Sequence, residues 1–223
     1  MLFRSQYREL HNIVENLSIT AGIQKPRVYI IPDRVPNAFA TGRNEKHAAV
    51  AVTEGLMHIL DRSELEGVIA HELAHIKNND ILVATMAVVL AGFVSLLADF
   101  FLRSMWFGGG SNEGGRGNIL AIVGILLAFT APLFGTLLRL AVSRSREFMA
   151  DASGALLTRY PDGLASALRK IHDAGSRMGP MKNAHQATAH LFIANPFGGA
   201  GKSLRNLFST HPPVEERIRR LTN

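Results

Sequence analysis

A chain of 223 residues, 47% of them hydrophobic, is long enough for one domain with a sizeable core or for a domain carrying a membrane insert. Its formal net charge is +6, but the basic residues are scattered and lack aromatic interleaving on a strand, which argues against nucleic acid and for anionic lipid as a partner. The absence of cysteine excludes a disulfide framework and any thiolate metal ligand, and Met1 to Leu10 lacks the apolar core of a signal peptide.

Residues 3 to 22 have the period of an amphipathic helix, with Leu10, Ile13, Val14 and Leu17 on one side and Gly22 as its stop. Val28 to Ile31 is a β-branched and aromatic run ended by Pro32 and Asp33, which predicts a short strand. Pro36 and Asn37 form a turn signal. The small side chains from Ala38 to Gly42 then suit either a segment that something else approaches closely or a plain loop. Ala48 to Thr53 predicts another strand and Glu54 to Leu60 a helix, so a small sheet is expected against the helix that follows.

That helix, Glu64 to Asn78, contains His71-Glu72-Leu73-Ala74-His75. At 3.6 residues per turn the two histidines project from one face and preset two nitrogen ligands for one metal ion. Glu72 lies about 100° round the helix, within reach of a water at the metal and placed as a general base rather than a ligand. A buried helix with two histidines by coincidence is the alternative. Ser63 followed by Glu66 predicts a capping box at the helix start, and Leu65, Val68 and Ile69 supply an apolar stripe. A catalytic zinc takes three protein ligands and keeps a position open for water, so a third donor is needed from elsewhere in the chain.

After Asp80 the composition changes. Ile81 to Ala98 is eighteen residues without a charge and Ile119 to Leu138 is twenty more, each long enough to cross about 30 Å of hydrocarbon. Gly108 to Gly117 between them is a flexible Gly-rich loop. The pair predicts a transmembrane helical hairpin over 81–142; a buried helical hairpin in a soluble protein is the other reading. Lys77, Arg139, Arg144 and Arg146 at its outer ends, against Arg103 and Arg116 on the loop side, put the His71 helix in the cytoplasm.

Ser143 to Asp151 predicts a further helix on which Glu147 and Asp151, four apart, face the same way. Glu147 then completes a His2Glu set while Asp151 accepts from the second nitrogen of a ligand histidine, or both belong to a solvated face partnered by Arg144 and Arg146. A helix through Leu156 and Leu157 and another from Asp162 to Ala174 follow. Residues 175 to 202 have the composition of a loop. His211-Pro212-Pro213 then precedes a last helix, Val214 to Leu221, so His211 is pinned beside a rigid helix start. There it serves either as a donor to a developing oxyanion or as a brace for the helix.

Four stretches in order, Pro36 to Arg43 (PNAFATGR), His71 to Asp80 (HELAHIKNND), Ser143 to Asp151 (SRSREFMAD) and Ser209 to Ile218 (STHPPVEERI), make the chain resemble the HtpX family of membrane zinc metallopeptidases, relatives of the CAAX prenyl endopeptidases, over nearly its whole length. The resemblance implies an α+β, mainly helical zincin-like domain with a small β-sheet and an inserted transmembrane hairpin. The catalytic part is then divided between 1–80 and 143–223. It implies one zinc per chain on His71, His75 and Glu147, with Glu72 as catalytic base. It further implies a multi-pass protein of the bacterial inner membrane whose catalytic domain faces the cytoplasm and hydrolyses misfolded or damaged membrane proteins. The sequence departs from the family pattern at its start, where two further membrane segments are usual. A substrate polypeptide is expected to add as a strand to a sheet edge near Ala38 to Thr41. A metal-binding scaffold has no use for Glu72, and a client-binding adaptor needs none of the four residues, so hydrolysis is the reading that uses them all.

Overall fold

The structure is a computed structural model that describes residues 2–42, 44–80, 82, 96, 144–179, 181, 192–194 and 212–223. The chain divides into two compact units, Met1–Leu82 with Ser143–Asn223, and Val83–Val142. Apart from Leu96, the second unit lies outside the described residues, and with it fall the expected hairpin and its Gly-rich loop. Among the described residues no helix is long and apolar enough to cross a membrane.

The first unit is mainly helical with a three-stranded sheet. Its elements are α1 (Leu2–Ala21), β1 (Arg27–Ile31), β2 (Ala38–Thr41), a 3-10 turn (Glu45–His47), β3 (Ala49–Thr53), α2 (Glu54–Ile59), α3 (Arg62–Lys77), α4 (residues 144–158), α5 (Pro161–Met178) and α6 (Val214–Thr222). The sheet order is β1-β3-β2, with β1 parallel and β2 antiparallel to the central β3. β3 is buried along its whole length, as its alternation of alanine and valine between two covered faces requires.

The loop reading of Ala38 to Gly42 is corrected. Ala38–Thr41 is the strand β2, paired from Ala38↔Val52 to Thr41↔Ala49, because a partner strand decides the conformation of residues whose own β-propensity is weak. Its entry into the sheet is set by Asn37 and Thr53, both fully buried. The Asn37 N–H donates to Thr53 Oγ1 at 2.8 Å, and that hydroxyl donates back to the Asn37 carbonyl at 3.1 Å. Thr53 Oγ1 also accepts from Leu56 N–H at 3.2 Å and so caps α2.

α3 is the core of the unit. On it lie Leu10, Ile13, Val14 and Leu17 from α1 and Leu164, Ala167, Leu168 and Ile171 from α5, all buried in one cluster with Val68, Ile69 and Leu73. A helix covered on several sides has no single apolar stripe. Its start differs from the expected Ser63/Glu66 box: Asp61 is the N-cap and Glu64 its reciprocal partner, with Asp61 Oδ1 to Glu64 N–H at 3.0 Å and Glu64 Oε2 to Asp61 N–H at 2.9 Å. Asp61 has the extended backbone of a cap, whereas Ser63 is already inside the helix and donates to Asp61 Oδ1 at 2.8 Å. Glu64 is buried, and its charge is met by Ser166 Oγ at 2.7 Å and Lys170 Nζ at 2.6 Å from α5.

Leu156 and Leu157 belong to the same continuous helix as Glu147 rather than to a separate one. It ends at Arg159, which has φ 53, and α5 restarts with Pro161 in its first turn. Helices α3 and α5 approach closely at Gly67, where an added Cβ would meet Leu164 N at 2.7 Å and Leu164 Cα at 2.9 Å. Backbone cannot swing aside as a side-chain tip can. We therefore expect Gly67→Ala to destabilise the fold by about 1–3 kcal/mol, read as a lower midpoint in urea; an unchanged midpoint would show that the two helices are free to part.

Candidate metal centre

Helix α3 carries His71, Glu72 and His75 from its covered interior turns, and α4 brings Glu147 and Asp151 against it. The two helices touch where Gly154 faces the backbone of His71: a Cβ there would lie 3.0 Å from the His71 main-chain nitrogen. This approach sets α4 close enough for Glu147 to reach both imidazoles.

His71 Nε2 and His75 Nε2 are 3.1 Å apart. Glu147 lies 3.9 Å from the first through Oε2 and 3.5 Å from the second through Oε1. Donor atoms of the three residues all fall within 4.8 Å of one another. The outer nitrogens are both engaged, His71 Nδ1 with Asp151 Oδ1 at 2.9 Å and His75 Nδ1 with Asp80 Oδ2 at 2.6 Å. A carboxylate only accepts, so each Nδ1 carries a proton, and Nε2 is the nitrogen left to offer a lone pair to a metal. Two nitrogens facing at 3.1 Å need a proton or a metal ion between them.

That arrangement can be tested against zinc. Bonds of 2.0–2.1 Å in a tetrahedron put ligand atoms about 3.3 Å apart; the two imidazole nitrogens are 3.1 Å apart, Glu147 approaches one through Oε1 at 3.5 Å and the other through Oε2 at 3.9 Å, and one donor atom from each residue falls within 4.8 Å of the others. Two imidazoles and one carboxylate are also a known catalytic donor set that leaves room for water. The residues fit the ion.

Glu72 is buried, 1% exposed, and Ala40 N–H of β2 donates to its carboxylate. Burial raises its pKa and the charge of Glu147 adds to that, while His71, His75 and the Ala40 amide oppose the rise without cancelling it. For His75 burial pulls the pKa down, but the Asp80 hydrogen bond and the charges of Glu147, Glu72 and Asp80 outweigh it and leave a net rise. Asp151 moves the other way. Burial pushes it up, yet the Arg217 guanidinium and the His71 hydrogen bond bring it to about 2.

Of the residues singled out in the sequence, the structure brings together His71, Glu72, His75, Glu147 and Asp151; His211 lies outside the described residues. Two neighbours had not been assigned a role. Asp80 reaches back to His75 because Asn79 takes a left-handed conformation, φ 56, just after the helix end, which asparagine tolerates better than most residues; the Asp80 carbonyl accepts from Arg146 Nη1 at 2.8 Å. Arg217 of α6 is 1% exposed and donates to Asp151 twice, Nε to Oδ2 at 2.8 Å and Nη2 to Oδ1 at 2.6 Å. A sequence signal existed for it: Val214, Arg217, Ile218 and Leu221 share one helical face, and the three apolar ones pack on the core.

The side of β2 away from β3 is partly taken by the chain itself. Ile193 N–H donates to the Ala38 carbonyl at 2.9 Å and Phe192 bridges Phe39 in antiparallel fashion. The Asn37 carboxamide meets both backbone groups of Ala194, at 3.0 and 3.3 Å.

Two helix-borne imidazoles four residues apart, a carboxylate from a second helix and an adjacent buried acid define a metallopeptidase. A model described as peptidase family M48 matches residues 4–223. The chain belongs to this family of zinc-dependent peptidases. It is 56% identical over 213 residues to a protein named protease HtpX homolog from Pyrococcus furiosus, covering 96% of this chain and 72% of the relative. A protein of the same name from Thermoanaerobacter pseudethanolicus is 53% identical over 221 residues, covering 97% and 72%. Among solved structures, Ste24p of S. mikatae has the same fold, with a TM-score of 0.60 at 20% identity. It is matched over 96% of this chain, which spans half the length of Ste24p.

Asp80 offers a test of how the site is held. Its loss frees the His75 ring to turn and removes the acceptor that selects its tautomer. We expect Asp80→Ala to weaken zinc binding about 10- to 100-fold in a chelator competition, with the far-ultraviolet spectrum preserved; parent affinity would mean that packing alone orients His75.

Proposed function

We propose that the chain is a zinc endopeptidase in which His71, His75 and Glu147 hold one zinc ion and Glu72 is the general base. The observation that carries this is the convergence of three N/O donors beside a buried acid one residue from the first of them. When bound there, zinc supplies Lewis acidity, polarising the scissile carbonyl and bringing the pKa of water toward about 7. Glu72 takes the proton from the attacking water and returns it to the leaving amine, and the upward direction of its pKa favours holding that proton between the two transfers. Asp151 and Asp80 keep the histidines in the tautomer that offers Nε2.

The substrate is a polypeptide, as for any member of a peptidase family. In our reading it adds as a strand along β2 beyond Phe39, since Phe192 to Ala194 already pair with the earlier part of that edge. Backbone pairing demands little sequence, which suits an enzyme that removes misfolded or damaged membrane proteins. The uncharged runs of eighteen and twenty residues between 81 and 142 support a transmembrane hairpin in contact with lipid, inserted in sequence between two parts of one catalytic domain, 1–80 and 143–223; the basic residues flanking it support a metal site on the cytoplasmic side of the bacterial inner membrane.

Casein digestion with metal analysis separates the roles. Glu72→Gln should keep its zinc and lose at least about a hundredfold in turnover, because an amide cannot accept the proton. Glu147→Ala should lose zinc, as should the parent in chelator. Full zinc content in Glu147→Ala, or near-parent turnover in Glu72→Gln, would remove the respective residue from its role.

For His211 the proposed role is donation to the oxyanion. His211→Ala should lower turnover about a hundredfold or more with melting temperature and zinc content unchanged. A loss of stability with specific activity intact would make it a brace for α6.

A further inference from the structure

We propose that Arg217 is a positioning residue for the metal centre, and that its planar fork, more than its charge, holds Asp151 and Glu147 where His71 and the metal need them. The inference rests on the reading that His71, His75 and Glu147 are the ligands. Arg217 comes from the last helix of the chain, 66 residues after Asp151, and is among the largest fully buried side chains of the described residues. All three of its nitrogens face the site. Nε and Nη2 take the two oxygens of Asp151 at 2.8 and 2.6 Å, Nη1 stands 3.4 Å from Glu147 Oε2, and Nη2 lies 3.4 Å from both ring nitrogens of His71.

The consequence is geometric. Asp151 accepts from His71 through the same Oδ1 that accepts from Nη2, so the bidentate pair fixes the carboxylate plane that in turn fixes the imidazole. The third nitrogen reaches one ligand oxygen from the same rigid plane. A lysine ammonium supplies the charge but cannot reproduce three directions at once. Apolar contacts of Val214, Ile218 and Leu221 with the core anchor α6, and Arg220 stacks over Phe148 of α4 at 3.7 Å. The helix that carries the fork is therefore held against the helix that carries Glu147 independently of Arg217.

Position and charge predict opposite signs. A fixed cation beside a cation site opposes metal binding, so if charge were its whole effect, neutralising Arg217 would tighten binding and Arg217→Lys would leave it unchanged. Positioning predicts weaker binding in both. The experiment titrates the full chain, freed of metal, with Co2+ in competition with a chelator, and records the visible absorption of the bound ion, which reports coordination geometry. Arg217→Lys should bind Co2+ about 10- to 100-fold more weakly than the parent, with an altered spectrum and a cooperative thermal transition. Should Arg217→Lys fail to fold, Arg217→Gln, whose planar amide keeps a donor toward Asp151 but not the three directions, is read in the same way, and the same weakening and spectral change are expected of it. Parent affinity with the parent spectrum, or tighter binding, in whichever folded variant is read would overturn the proposal. The ligand reading fails separately, if the parent binds no Co2+ or if His71→Ala binds it as the parent does.

Discussion

Four carboxylates, Glu72, Asp80, Glu147 and Asp151, are buried around one pair of imidazoles, and the need to compensate that charge in a place largely closed to bulk water governs the rest of the unit. Unpaired buried charges cost several kcal/mol each. Every described element near the cluster brings something to offset it: α3 offers ring N–H groups, α6 a guanidinium, β2 a backbone N–H, and α4 an arginine to the Asp80 carbonyl. The set holds more carboxylates than cationic side chains, which is the condition a divalent cation meets.

The same requirement explains why the candidate ligands come from stiff places. His71 and His75 share one helix, whose capping box and buried Glu64 fix its start and whose Asn79 turn folds Asp80 back on its end. Glu147 and Asp151 share a second helix, brought into range by the glycine contact at Gly154. Sites built on helices hold donors more narrowly than sites on loops do. β2 joins the sheet edge to the acid at Glu72 through the Ala40 N–H, so in the proposed mechanism a substrate strand and the proton acceptor meet at one piece of backbone.

That edge is also where the fold limits the chemistry. The pairing of Ile193 with Ala38 and the double contact of Asn37 with Ala194 consume the beginning of β2. Asn37 imitates a strand's own donor and acceptor, which gives the asparagine of the PNAFATGR stretch a structural account independent of any contact with substrate.

Local physics in the sequence was enough for the helical period of α1 and α3, the two β-branched strands, the facing histidines and the carboxylate pair of α4, because each depends on residues within a turn or two of one another. It was also enough to suggest Glu147 and Asp151 as one unit, since four residues make one helical turn. It was insufficient where a distant partner decides. Ala38 to Thr41 became a strand only because β3 lies beside it, Asp61 rather than Ser63 took the cap because the helix begins two residues earlier than composition suggested, and Phe192 to Ala194 acquired their role from a strand more than 150 residues away. Arg217 is the sharpest case. Its place on an apolar helical face marks it for burial, but that its fork meets Asp151, Glu147 and His71 follows only from the packing of the last helix against the third and fourth, a relation between surfaces that no spacing along the chain encodes.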